Sequence, residues 1–153
     1  MRLFPPFKKR GFFSNEQNEY IVEAIKEVEQ RTSGEIRVYI ESRCKFVDPL
    51  DRAAEVFWTL KMDHTEFRNS VLLYVAVKDH QFAIFADEGI HQKLGNEFWR
   101  REVAEMSRHF RENRYTDALI YVIRDIGEAL HEHFPYDSHA DRNELPDDIM
   151  FGK

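Results

Sequence analysis

Residues 68–90 read RNSVLLYVAVKDHQFAIFADEGI. Residues 70–77 form an unbroken apolar run of strand length, the pattern of a central strand covered on both faces. Lys78, Asp79 and His80 make a short polar turn, and residues 81–87 return as the antiparallel hairpin partner. The returning strand leaves through Asp87 and Glu88, then Gly89, then His91. With the turn centred on Asp79, Val77 faces Gln81 and Val71 faces Asp87, which sets Asn69 near Gly89. A bulge would shift that register by one residue.

The elements before the hairpin follow from local pattern. Residues 12–35 read as a helix: Ser14 is an N-cap, Gln17 completes a capping-box spacing, and Ile21, Ile25 and Val28 share a stripe. Ser33 and Gly34 end it. EIRVYIES, residues 35–42, alternates as a strand, with Ile36, Val38 and Ile40 on the better-buried face. Residues 47–61 form a second helix, capped by Asp48, with Pro49 at its first position and Asp51 at the positive end of its dipole.

After the hairpin the chain turns helical. Residues 96–113 place Trp99, Val103, Met106 and Phe110 on one face. Residues 114–134 place Leu119, Val122, Ile123, Ile126, Leu130 and Phe134 likewise, and Pro135 stops that helix. Trp58 and Trp99 sit on helical stripes and read as core. The order helix, strand, helix, strand, strand, helix, helix predicts an α/β fold. The specific expectation is a three-layer α/β/α sandwich with a small mixed sheet. Its first two strands are parallel through a right-handed crossover, the hairpin is antiparallel, and helices cover both faces.

Bulk properties narrow the function. A chain of 153 residues is one domain with room for a core. A net charge of −6 argues against general nucleic-acid binding, which needs a basic face. The single Cys44 excludes an internal disulfide and a cysteine-rich zinc site. MRLFPPFKKRGFF at 1–13 holds no run long enough for a signal peptide, and VLLYVAV is too short to span a bilayer. The expected location is cytoplasmic. Neither a G-x-S-x-G elbow, a Walker loop, a dinucleotide glycine fingerprint nor a Cys-x5-Arg loop is present.

Three segments together resemble the TPM domain: residues 12–42, residues 68–90, and FRENRYTDALIYVIRDIGEALHEHFP at 110–135. The resemblance implies a TPM-like domain over 12–135, preceded by an arm at 1–11 and followed by a polar, acidic tail at 136–153. It implies an α/β/α sandwich. Members are often exported and membrane-tethered, and this chain is expected to lack both leader and anchor. A chloroplast member is described as an acid phosphatase, another member is an auxiliary receptor subunit, and some members bind calcium through acidic loop residues. This chain reads Asp87-Glu88-Gly89 where many members have a glycine-rich turn.

The hairpin register brings the loop 62–69 beside the exit after Asp87, so residues distant in sequence converge at one end of the sheet. Calcium takes six to eight oxygens from carboxylates, amides and carbonyls. Asp63, Asn69, Asp87 and Glu88 are the candidate ligands. The competing reading pairs Arg68 with Asp87 or Glu88 and leaves the other polar groups solvated. The opposite end of the sheet carries Glu41, Ser42, Arg43, Cys44, Asp79 and His80, roughly 20 Å away on strand rise. There Cys44 beside His80 is weighed as a nucleophile against a plain core thiol.

Three functions follow as alternatives. The first is a calcium-binding interaction or regulatory module. The second is a metal-assisted acid phosphatase, with Arg68 clamping phosphate and His91 as proton donor. The third is a metal-free domain that binds a protein partner at an exposed sheet edge or helix groove, which the tail can cover through Leu145, Ile149 and Phe151.

Overall fold

The hairpin organises the chain as its pattern predicts, and its neighbours assemble around it. The structure is a computed structural model and describes residues 13–44, 47–136 and 149–152. The arm at 1–11 and Leu145 lie outside the described residues.

Helix α1 (Asn15–Glu29) starts at a complete capping box: Ser14 Oγ accepts from the Gln17 amide at 3.0 Å, and Gln17 Oε1 accepts from the Ser14 amide at 2.9 Å. These bonds satisfy amides that the first turn leaves without helical partners. Strand β1 (Glu35–Glu41) follows, then α2 (Pro49–Thr59), capped by Asp48, which accepts from the Leu50 amide at 2.8 Å. Strands β2 (Ser70–Ala76) and β3 (Gln81–Ala86) form the hairpin. Helices α3 (Glu88–Arg111) and α4 (Tyr115–His133) complete the expected set. Within α3, Gly95 sits at φ 77°, a left-handed value that breaks the helix into two pieces; glycine adopts it without steric cost. The second piece opens at Asn96, where the sequence places a helix start.

The sheet order is β3-β2-β1-β4. β1 and β2 are parallel and β2 and β3 antiparallel, as expected. The fourth strand, β4 (Met150–Phe151), comes from the tail and lies parallel to β1. Ile149 and Phe151 are buried, so this end of the tail covers the β1 edge. Two residues carry no readable periodicity, and their partner strand lies more than a hundred positions away; the pairing was therefore invisible locally.

Alternation along the strands divides the core into two. Ile36, Val38, Ile40, Val71, Leu73 and Val75 pack with α1, α3 and α4 on one face. Tyr39, Leu72, Tyr74, Ala76, Ala83 and Met150 pack against Ala53, Val56 and Phe57 of α2 on the other. Glu35, Arg37 and Glu41, expected on the less buried face of β1, are nearly as buried as its apolar residues. The cause is α2 and Met150, which cover that face; Arg37 Nη2 donates to Met150 Sδ at 3.2 Å.

The hairpin register differs from expectation by one residue: Ala76 pairs with Gln81 and Val71 with Ala86. The reason lies at the turn. The amides of Val77 and Lys78 continue the ladder to β1, donating to the carbonyls of Glu41 and Ser42 at 3.0 and 2.8 Å. The Val77 carbonyl accepts from the His80 amide at 3.2 Å, which closes a turn over 77–80 and leaves Ala76 and Gln81 as the first pair. A four-residue connection results, closed by His80 at φ 53°.

The docked tail sets a test. Phe151→Ala removes a fully buried ring, and about 3 kcal/mol of unfolding free energy is expected to be lost. Urea denaturation reads it; an unchanged midpoint would mean that the strand contributes nothing to the fold.

Candidate functional site

The loop before β2 and the exit after β3 meet, as the sequence argument requires. Their junction is built by backbone first. The Asp87 amide donates to the Ser70 carbonyl at 2.9 Å, and the Ile90 amide to the Arg68 carbonyl at 3.3 Å. Gly89 lies so close to this loop that an added Cβ would stand 2.1 Å from the Phe67 carbonyl oxygen and 2.6 Å from that of Arg68. No other residue fits there without moving the backbone, which accounts for the glycine after the acidic pair.

Asp87 has two tasks at this corner. As N-cap of α3, it accepts from the Glu88 amide at 2.8 Å. Its carboxylate also takes a two-pronged contact from Arg68, Nε to Oδ2 at 2.6 Å and Nη2 to Oδ1 at 2.7 Å. Arg68 Nη1 donates to Glu88 at 3.1 Å. Asp87 is only 3% exposed, so its charge depends on that guanidinium. The hydrogen bond to Asp87 in turn holds the Arg68 pKa above its ordinary value, with Glu88 and Asp63 adding to the effect. Arg68 reaches this position from a left-handed backbone, φ 52°, uncommon for a residue with a side chain.

The six candidate residues are therefore only partly brought together. Arg68, Asp87 and Glu88 form one cluster, with Asp63 near enough to influence Arg68 and His91 exposed at the mouth of the adjoining groove. Asn69 is elsewhere: its side chain is buried, and its amide nitrogen donates to Ser33 Oγ at 3.3 Å. Both Asp87 oxygens are engaged by Arg68. Among the described residues, no group of three His, Cys, Asp or Glu side chains is disposed to share a metal ion. As placed, the carboxylates fit a cation only where Arg68 gives way.

At the opposite end of the sheet the polar residues bind one another. Asp79 accepts from Arg43 Nη1 at 3.0 Å and from the Cys44 amide at 2.7 Å, tying the hairpin turn to the end of β1. Cys44 Sγ contacts the Val47 carbonyl at 3.4 Å, while His80 Nδ1 bonds the Tyr115 hydroxyl; thiol and imidazole thus have different partners. Below them, Arg52 donates to both oxygens of Glu41 at 2.9 Å, and the Tyr74 hydroxyl donates to the same carboxylate. Burial and this bond raise the Tyr74 pKa. The result is a closed structural network under α2.

Two features escaped the sequence reading. The first is Glu102 on α3, 2% exposed and facing Asp125 of α4. Burial first, then a hydrogen bond and the like charge of Asp125, push its carboxyl up to about 9, with Glu105 adding to this and Arg101 opposing it. Its place in the series Trp99, Glu102, Val103, Met106 was the available signal. The second is a groove of about 910 Å³ along β3, with Leu50 and Trp58 on one side and Trp99 and Val103 on the other. Trp58 and Val103, expected in the core, are 51% and 41% exposed.

Comparison with known proteins agrees with this architecture. The family model described as the TPM domain matches residues 7–129. The NMR structure of BA42 protein from the psychrophilic bacterium Bizionia argentinensis is similar at 39% identity and TM-score 0.85, covering 92% of this chain and 96% of that one. Two further NMR structures share the fold. The N-terminal domain of cg2496 from Corynebacterium glutamicum is 14% identical, with TM-score 0.64 over 85% and 86% of the two chains. An N-terminal domain from P. gingivalis is 16% identical, with TM-score 0.68 over 88% and 96%. No curated protein matches. Among the described residues, no helix is long and apolar enough to cross a membrane.

Two measurements test the geometry. In thermal melts Arg68→Ala is expected to lower the midpoint more than Glu88→Ala, and Arg68→Lys to recover only part of the loss, because an ammonium cannot reproduce the fork. Equal midpoints for all three would remove Asp87 from dependence on Arg68. Glu102 gives a pH signature. Its folded pKa lies above the ordinary carboxylate value, so the folded state holds a proton that the unfolded chain releases. Stability is then greatest below about 4.5 and falls as pH rises toward about 9. Glu102→Gln is expected to flatten that decline in denaturation curves recorded from pH 5 to 9; an unaltered slope would rule out Glu102 as its source.

Proposed function

The chain belongs to the TPM domain family, and we propose that it is a non-catalytic binding and regulatory module that responds to a divalent cation, calcium first, at the Arg68 corner. One observation carries this reading: Asp87 and Glu88 share the guanidinium of Arg68, and the charge of Asp63, from the loop before β2, acts on it as well. A hard cation seeks the same carboxylate oxygens that Arg68 holds, so the two compete. This reading does not call on Asn69, whose amide nitrogen is bonded to Ser33.

Phosphatase chemistry is the weaker reading. It asks Arg68 to clamp phosphate and His91 to supply a proton. Yet Nε, Nη1 and Nη2 of Arg68 all donate to carboxylates, which favours a binding role for the cluster.

Calorimetric titration of chelator-stripped protein with calcium tests the proposal through its competition. Binding is expected for the native chain, and tighter binding for Arg68→Ala, where nothing needs displacing. Neither heat nor a shift of melting temperature in millimolar calcium, for either protein, would dispose of the cation.

A further inference from the structure

Among the described residues, the β3 edge lies open along the floor of the groove. Asp87 donates to Ser70 and the register is regular. Residues 81, 83 and 85 therefore turn their backbone groups to β2, while Phe82, Ile84 and Ala86 turn theirs outward. In the described sheet order β3 has a neighbour on one side only. Such a row of unmatched donors and acceptors is a template for another strand. The described end of the tail, Met150–Phe151, pairs at the opposite side of the sheet, beside β1.

Both helical layers extend past this edge. Met106 and Phe110 of α3 are buried against the sheet, whereas Val103 on the same stripe is exposed and lines the groove beside Trp99. Across from them, Leu50 and Trp58 stand half exposed. Among the described residues, an apolar stripe continues on both sides of the β3 edge where no strand lies beneath it.

We propose that the groove takes up an extended, cationic peptide segment of a protein partner, added as a further strand alongside Phe82, Ile84 and Ala86. The two walls select a single strand. They exclude the edge of a second folded copy, whose own β3 is recessed in an identical groove. Charge selects a cationic one. Arg68 is held by Asp87 and Glu88, and Arg100 by Glu97 at 3.5 Å. Arg68 offsets only one of the two charges on Asp87 and Glu88, so a net negative charge remains at that mouth, where the Glu88 side chain is 63% exposed, and exposed Asp48 adds another at the far mouth. Main-chain bonds supply the pairing, and alternate side chains meet the Trp58 and Trp99 walls. This inference shares Glu88 with the cation reading but rests on the strand edge, so Ala86→Pro and Trp58→Ala, which touch no carboxylate, test it apart from calcium binding.

Fluorescence anisotropy with a labelled heptapeptide, Lys-Val-Thr-Ile-Thr-Val-Lys, tests it on the full chain. Saturable binding is expected, with a change in tryptophan emission. Ala86→Pro removes an outward N–H without touching the ladder to β2, and at least a tenfold weakening is expected with the melting midpoint within a few degrees of native. Trp58→Ala, at an exposed position, is the second variant, and a several-fold weakening is expected even where the proline variant fails to fold. The same peptide ended by glutamate is expected to bind at least tenfold more weakly. The proposal is overturned by no binding at millimolar peptide, by unchanged affinity in folded Ala86→Pro or in Trp58→Ala, or by equal binding of the glutamate peptide. Sedimentation showing a dimer that Ala86→Pro dissociates would assign the edge to a second copy and overturn it equally.

Discussion

The fork between Arg68 and Asp87 joins parts of the chain that local structure leaves separate. Asp87 ends the hairpin, caps α3 and carries a buried charge. Arg68 belongs to the loop that links α2 to β2. Their contact sets where α3 departs from the sheet, and the break at Gly95 then turns the piece that carries Trp99 and Val103. A neutral cap at position 87 would serve the helix alone. The charged pair also fixes the loop, because a buried carboxylate without its guanidinium is strongly unfavourable. Gly89 makes the approach sterically feasible, so the electrostatic and steric requirements meet within three residues.

The rest of the molecule resolves its polar groups in a similar way at several depths. Glu41 is neutralised by Arg52 and Tyr74 beneath α2, and Asp79 by Arg43 and a backbone amide at the hairpin turn. Glu102 differs. Its nearest partner is another acid, and burial keeps it protonated. The groove along β3 stands apart from all of these, because its walls are apolar and its unmet groups are backbone ones. Strand edges on monomeric proteins are usually blunted by charge, proline or covering segments. Here the β1 edge is covered by Met150 and Phe151, while the β3 edge is flanked by tryptophans.

How much of this was legible depended on the range of the interaction responsible. The Ser14–Gln17 box, the Asp48 cap and the apolar run of β2 involve neighbours within a few positions, and each was readable. The meeting of the 62–69 loop with Asp87 was readable too, because a hairpin carries register information along its length. The one-residue offset was not, since it arises from the turn that the Val77 carbonyl and the His80 amide close. Asn69 turns its amide nitrogen to Ser33, beside β1, a direction that the hairpin register does not report. Trp58 and Val103 obeyed their helical stripes and still reached solvent, because a stripe records direction and not whether a strand lies beneath it.

Residue pattern alone thus settled the elements other than β4, their order and the α/β/α layering. It also settled that one corner of the sheet would be rich in charge. These follow from periodicity and capping, which act over one or two turns. Three-dimensional packing decided which oxygens that corner leaves unoccupied, which edge the tail covers and which edge stays open. Those outcomes depend on contacts between segments tens of residues apart, and no local spacing encodes them.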